Sequence, residues 1–156
     1  MYTKAEFEKC YRTHFQMVWN LCYTYLHHPA DTEDAVQETF LRLARSGKTF
    51  GDRDHEKAWL IVTAGNVCKD ELKRRGRKDL SLEEVSTAGF QQPRTDETLL
   101  AVQALPEQYR TALYLFYYEG LPAKKIAKLL NRPEATVRSD LHRGRQMLKA
   151  RLEGKV

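Results

Sequence analysis

The stretch "LPAKKIAKLLNRPEATVRSDLHRGRQMLKARL", residues 121–152, decides how this chain folds. It holds two apolar-periodic segments parted by Asn131-Arg132-Pro133. The first predicts a short helix over about 122–130, and Asn131 suits the left-handed position that ends a helix. Pro133 opens a longer helix to about Leu152, because its ring fixes φ and it needs no N–H partner at a helix start. Val137, Leu141, Leu148 and Leu152 keep the three-and-four spacing of one buried face. A short helix, a tight turn and a longer helix form the grammar of a helix-turn-helix. Thr136, Arg138, Ser139, His142 and Arg143, with Gln146, fall largely outside the apolar stripe. They supply donors for phosphates and base edges. A merely solvated basic face would carry the same charges, but the helix-turn-helix context favours DNA. Asp140 repels phosphate. It accepts from a cytosine amine or orients Arg143 or Arg145 by pairing, and the second reading is preferred.

Working outward, "PEQYRTALYLFYYEG" (106–120) begins on Pro and ends on Gly, and "TLLAVQAL" (98–105) reads as a helix broken at Leu105-Pro106. Residues 79–98, "DLSLEEVSTAGFQQPRTDET", are polar and lack sustained periodicity, which marks a flexible linker. Near the start, Phe7, Tyr11, Phe15, Val18, Leu21 or Cys22, and Tyr25 form an amphipathic stripe. Pro29 in "HHPAD" interrupts it, and Asp31 stands where an N-cap belongs. A second helix is predicted over about 32–44, a loop over 45–55, and a third helix over about 56–75. No alternating strand pattern of useful length occurs. The fold class is all-α: two small helical domains, 1–78 and 99–156, joined by a linker at 79–98.

The chain has 156 residues and a formal net charge of +5. The distribution of charge says more than its sum. Residues 121–156 hold ten Lys/Arg against three Asp/Glu, and 69–78 hold six against two. Residues 79–120 hold two against seven. Two basic islands with an acidic stretch between them suit nucleic acid. Three cysteines, with no C-x-x-C, exclude a disulfide framework and point to a reducing compartment. The spacings of Cys10, His14, Cys22, His27 and His28 match no common zinc site, so neither metal nor cofactor is expected. No nucleophile–base pairing or phosphate-cradling Gly motif is visible, so an enzyme is not expected. No leader and no 18-residue apolar run occur, which predicts a cytoplasmic protein without membrane insertion.

The second helix carries a further signal. On a helical wheel Val36, Thr39, Phe40 and Leu43 share one side. Asp34, Gln37, Glu38 and Leu41 share the other. An acidic face with an exposed leucine suits docking on a basic partner surface with one apolar anchor, although a solvated face with a stray leucine shows the same pattern. In the third helix Asn66 is able to recognise a base edge, or is a plain surface amide. Lys69, Lys73, Arg74 and Arg75, followed by Arg77 and Lys78, give an electrostatic footprint for nucleic acid.

Three ordered segments now resemble one family. "DTEDAVQETFLRL" is similar to the region 2 core-binding segment of extracytoplasmic-function (ECF) RNA polymerase sigma factors. "KAWLIVTAGNVCKDELKRRGRK" is similar to the promoter-reading helix that follows it, and residues 105–152 resemble region 4. The resemblance covers roughly 5–76 and 99–152. It implies a transcription initiation factor whose Asp31, Asp34, Gln37, Glu38 and Leu41 face the β′ clamp helices of core RNA polymerase. The second domain would meet the β flap. Asn66 would hold a base flipped from the melted −10 element, shaped by the loop from Ser46 to His55, while Lys69, Lys73, Arg74 and Arg75 hold the backbone. Arg138, Ser139 and Arg143, helped by His142 and Thr136, would meet the −35 element. An anti-sigma factor is an implied partner. The chain departs from the family pattern at Thr63, Gly65, Pro133 and Asp140.

The alternative is a stand-alone helix-turn-helix regulator, which would read DNA alone and usually as a dimer. The acidic helix and "WLIVTAGN" argue against it. Two DNA-reading domains must span about two duplex turns, ~70 Å. A twenty-residue linker reaches ~70 Å only when fully extended, and averages ~25 Å as a coil. Free in solution, the domains would rarely stand at promoter spacing.

Overall fold

The computed structural model describes residues 1–76 and 96–154. Among them are seven helices and no strand: α1 (Lys4–Leu26), α2 (Pro29–Ser46), α3 (Arg53–Gly76), α4 (Glu97–Gln103), α5 (Glu107–Tyr117), α6 (Ala123–Leu130) and α7 (Glu134–Leu152). The chain divides into two compact units, with the division between Pro93 and Arg94. All but the last three residues of the expected linker, 79–98, lie outside the described residues.

In the first unit α1, α2 and α3 pack against one another. The start of α1 is fixed by a capping box. Thr3 Oγ1 accepts from the Glu6 N–H, and Glu6 Oε1 accepts from the Thr3 N–H, both at 3.1 Å. Its end is fixed by His27, which takes the left-handed conformation at φ 50°. Apolar residues at helical spacing bury Val18, Leu21 and Cys22 of α1 against Val36 and Leu43 of α2 and Leu60, Ile61 and Cys68 of α3. Each fully buried aliphatic side chain contributes roughly 1.5–3 kcal/mol of transfer free energy.

The entry to α2 differs from expectation. Pro29 does not merely break α1; it opens α2, and the cap is His28, whose Nδ1 accepts from the Asp31 N–H at 3.3 Å. Asp31 therefore lies in the first helical turn, where a negative charge meets the positive end of the helix dipole. The third helix also begins earlier than expected, at Arg53. Asp52 Oδ1 accepts from the His55 N–H at 2.8 Å and caps that turn.

In the second unit α7 packs on α4, α5 and α6. Asp96 caps α4 by accepting from the Leu99 N–H at 2.7 Å. Asn131 is left-handed at φ 55° and ends α6, as its place in the turn predicted. Pro133 and Pro106 stand one position before their helices rather than inside them. Val137, Leu141, Gly144 and Leu148 form the buried stripe of α7, while Leu152 is exposed. Gly144 is needed for close packing: a Cβ there would stand 2.7 Å from Leu113 Cδ1 and 3.1 Å from Tyr109 Cβ.

Candidate functional site

The first unit carries two candidate surfaces. On α2 the wheel reading is realised. Val36, Thr39, Phe40 and Leu43 are buried, Asp34 and Gln37 are exposed, and Leu41 is 46% exposed. A groove of about 260 Å³ between α2 and α3 is lined by Asp31, Asp34, Glu38, Asp70 and Glu71, crossed by Arg42 and Arg74. Five carboxylates against two guanidinium groups keep this groove acidic.

The groove is braced from within. Arg42 Nε donates to Glu38 Oε2 at 3.1 Å and its Nη2 lies 4.0 Å from Asp70 Oδ2. Asp31 and Arg75, assigned from the sequence to two different interfaces, are paired with each other. Arg75 also donates to the Leu26 carbonyl at 3.1 Å. Their side chains are only 29% and 21% exposed. The carbonyl of Leu26 ends α1, which has no basic residue in its own last turn. Arg75 therefore supplies, from α3, the cation that the end of α1 lacks. Glu38–Arg42 is an i,i+4 pair readable from the sequence. Asp31 and Arg75 lie 44 residues apart, and no local pattern joins them.

Asn66 projects from the exposed side of α3, one turn after Val62, which is 39% exposed. Val62 was not in the expected set; it ends the apolar run Trp59-Leu60-Ile61-Val62, and only its helical phase, four residues before Asn66, separates it from buried Leu60 and Ile61. Lys73 is exposed and lies about 10 Å further along the axis at 1.5 Å per residue, while Lys69 is half-buried. Arg74 is held by Glu71, with donor distances of 2.7–3.0 Å, which also raises the pKa of its guanidinium. At the N-terminal end of α3, Phe50 of the preceding loop packs on Trp59, with ring centroids 6.1 Å apart.

Cys10, Cys22 and Cys68 are free and buried. Burial first, then the nearby Glu56 carboxylate, push the Cys10 thiol up to about 12. Cys22 is raised by its hydrogen bond to Cys68 and by burial. Neither is an activated nucleophile.

The second unit presents α7. Thr136, Arg138, His142 and Arg143 are exposed and Ser139 is half-buried, so the expected set shares one accessible side. Arg138 is not free: it pairs with Glu134, one turn back, at 2.9 Å. Asp140 forms no ion pair among the described residues, so the preferred pairing with Arg143 or Arg145 does not occur. Arg145 instead lies over the Phe116 ring, 5.4 Å from its centroid, a cation–π contact that anchors α7 to α5.

These surfaces coincide with two family descriptions. A model of Sigma-70 region 2 matches residues 10–78, and a model of Sigma-70 region 4 matches residues 95–148. The ECF RNA polymerase sigma factor SigM of Bacillus subtilis is 31% identical over 151 residues, covering 87% of this chain and 91% of that protein. The ECF RNA polymerase sigma factor SigE of Mycolicibacterium smegmatis is also 31% identical, over 150 residues, but the chain spans only 58% of its length. This chain belongs to the ECF RNA polymerase sigma factors. It is a transcription initiation factor and not an enzyme. The fold is shared with the sigma factor RpoE of Bartonella quintana, solved in complex with the anti-sigma factor NepR, at a TM-score of 0.70 and 20% identity over 94% of this chain and 96% of that one. In this sigma factor the acidic groove, Asn66 and the basic end of α3 therefore belong to region 2, and the exposed side of α7 to region 4. No described helix is long and apolar enough to cross a membrane.

Proposed function

We propose that this sigma factor binds core RNA polymerase in the cytoplasm and directs it to promoters that carry its −10 and −35 elements. Region 2 docks on the β′ clamp helices through Asp34, Gln37, Glu38 and Leu41, and Asp31 serves that face from beneath by anchoring Arg75. Region 4 docks on the β flap. The observation that carries this reading is Leu41, 46% exposed among acidic and amide side chains, on the opposite side of α2 from buried Phe40 and Leu43. A large apolar side chain ringed by charge is the pattern of an interface anchor.

Asn66 holds a base flipped from the melted −10 element, with Val62 beneath it as an apolar platform. Lys69, Lys73 and Arg74 hold the backbone, Arg74 by exchanging Glu71 for phosphate. Thr136, Arg138, Ser139, His142 and Arg143 meet the −35 element. Arg138 must leave Glu134 to do so, and an exposed pair of this kind is worth only ~0.2–1 kcal/mol. An anti-sigma factor is a further partner. A stand-alone regulator is disfavoured because it has no use for region 2.

The test is run-off transcription with purified core polymerase. Leu41→Asp or Glu38→Lys should lower initiation at least tenfold, the loss of about 1.4 kcal/mol of docking energy, while thermal melting is unchanged. Full initiation by Asp34→Lys and Glu38→Lys would sink the core-binding assignment. The free chain should bind promoters poorly in a gel shift; tight specific binding without polymerase would favour the stand-alone regulator.

A further inference from the structure

Cys10, His14 and Glu56 converge at the junction of α1 and α3. The two α1 residues are four apart, so they stand one above the other on one side of the helix. Glu56 enters from the first turn of α3. One ligand atom from each, a thiol sulfur, an imidazole nitrogen and a carboxylate oxygen, lies within 4.8 Å of the others. Cys10 is 3% and His14 5% exposed. His14 Nε2 stands 2.7 Å from Glu56 Oε1, and the Tyr2 hydroxyl donates to Glu56 Oε2. Beside them a cavity of about 240 Å³ is lined by Tyr2, Cys10, Phe50, Asp52, Arg53 and Glu56.

We propose that Cys10, His14 and Glu56 form a three-ligand site for a divalent zinc-type ion. The donor chemistry fits. One sulfur, one nitrogen and one oxygen form a mixed set that zinc accepts and that magnesium and calcium, which take oxygen, do not. The dimensions fit as well. Tetrahedral zinc with Zn–N and Zn–O near ~2.0–2.1 Å and Zn–S near ~2.3 Å needs N···O of ~3.4 Å and S···N of ~3.6 Å. The present His14–Glu56 contact must open by roughly 0.7 Å, which side-chain rotation supplies. The Cys10 proton leaves to solvent, and the proton between His14 Nε2 and Glu56 Oε1 passes to solvent or to Nδ1. The hydrated ion gives up all but one of its waters, and that fourth position faces the cavity, which is also the way in. Tyr2 keeps its hydrogen bond to the second oxygen of Glu56 and orients that ligand. Loaded, the site ties the first turns of α1 to the start of α3, next to the loop held by Phe50 and Trp59.

The experiment uses the untagged full chain stripped of metal and titrated with cobalt(II), then zinc. The wild type should take up one equivalent of cobalt, with tetrahedral ligand-field bands and a thiolate-to-metal charge-transfer band that zinc abolishes. Free zinc at 100 times Kd should raise the melting temperature of region 2 by about 10–20 °C. Cys10→Ser should lose the charge-transfer band, and His14→Gln and Glu56→Gln should bind at least tenfold more weakly. Cys22→Ala should keep the band. Absence of saturable cobalt or zinc binding by the wild type overturns the proposal, as does a band that survives in folded Cys10→Ser. Because the wild-type titration decides alone, a variant that fails to fold leaves the proposal open to refutation. No polymerase is involved, so the outcome is separate from that of the core-binding reading.

Discussion

Arg75→Ala separates a brace from a DNA contact. In the structure this guanidinium joins the Asp31 carboxylate and the Leu26 carbonyl, the latter at 3.1 Å. A hydrogen bond to a charged group contributes about 1.5–3 kcal/mol when shielded. With side chains a fifth to a third exposed, solvent screening brings the combined loss to about 1–2 kcal/mol. For a domain of this size, 1 kcal/mol moves the melting temperature by about 4–8 °C, so region 2 should melt roughly 5–15 °C lower. Both tryptophans, Trp19 and Trp59, lie in region 2, so tryptophan fluorescence follows this transition without interference from region 4. The functional assay is binding of a −10 single strand by holoenzyme over a salt series. Each phosphate contact to a single strand contributes about 0.7 to the slope of log K against log salt. Arg75→Ala should leave that slope unchanged, whereas Lys73→Ala, at an exposed position, should lower it by about 0.7 with a stability change under about 0.5 kcal/mol. An Arg75→Ala protein that melts with the wild type and loses slope would refute the brace and restore Arg75 to the DNA-contacting set.

Two glycines should respond oppositely to alanine. At Gly144 the added methyl meets buried Leu113 at 2.7 Å and the Tyr109 Cβ at 3.1 Å. Overpacking of about 1–3 kcal/mol outweighs the ~1 kcal/mol helix-propensity gain, and region 4 should melt lower by calorimetry. At Gly65 the contact is the tip of one side chain, Tyr25 Oη at 3.3 Å, so Gly65→Ala should be neutral or slightly stabilising; a higher melting temperature for Gly144→Ala than for Gly65→Ala, each relative to its own domain, contradicts this. Asp96 is held below its usual pKa by the Leu99 N–H first and the Tyr118 hydroxyl second. A carboxylate depressed in the folded state stabilises region 4 above the unfolded pKa near 3.9, and that stability fades as pH falls through the folded value. Asp96→Ala should therefore cost about 1 kcal/mol at neutral pH, the usual loss for an N-cap, with the gap to wild type narrowing in urea melts as pH falls below the unfolded value; a gap independent of pH would deny the carboxylate its role.

Much of this protein was legible as sequence because its determinants are local. Apolar spacing placed the buried faces of α2 and α7, Asn131 ended α6 by its tolerance of positive φ, and the sides left over held Leu41, Asn66 and His142 in the open. Such features depend on residues three or four apart, and the helix delivers them before any tertiary contact forms. The α2 cap was misassigned because His and Asp flank Pro29 and either can accept at a helix start; packing chose His28. Local pairs such as Glu38–Arg42 and Glu134–Arg138 follow from spacing along one helix, but tertiary structure alone decided the pairings between helices. It joined Asp31 to Arg75 across 44 residues, left Asp140 without an ion partner among the described residues, and set Glu56 beside Cys10 and His14. A charge has no period, and its partner is whatever the packed helices bring within about 4 Å, so residue type fixed the candidate surfaces while helix packing fixed which groups on them stay available.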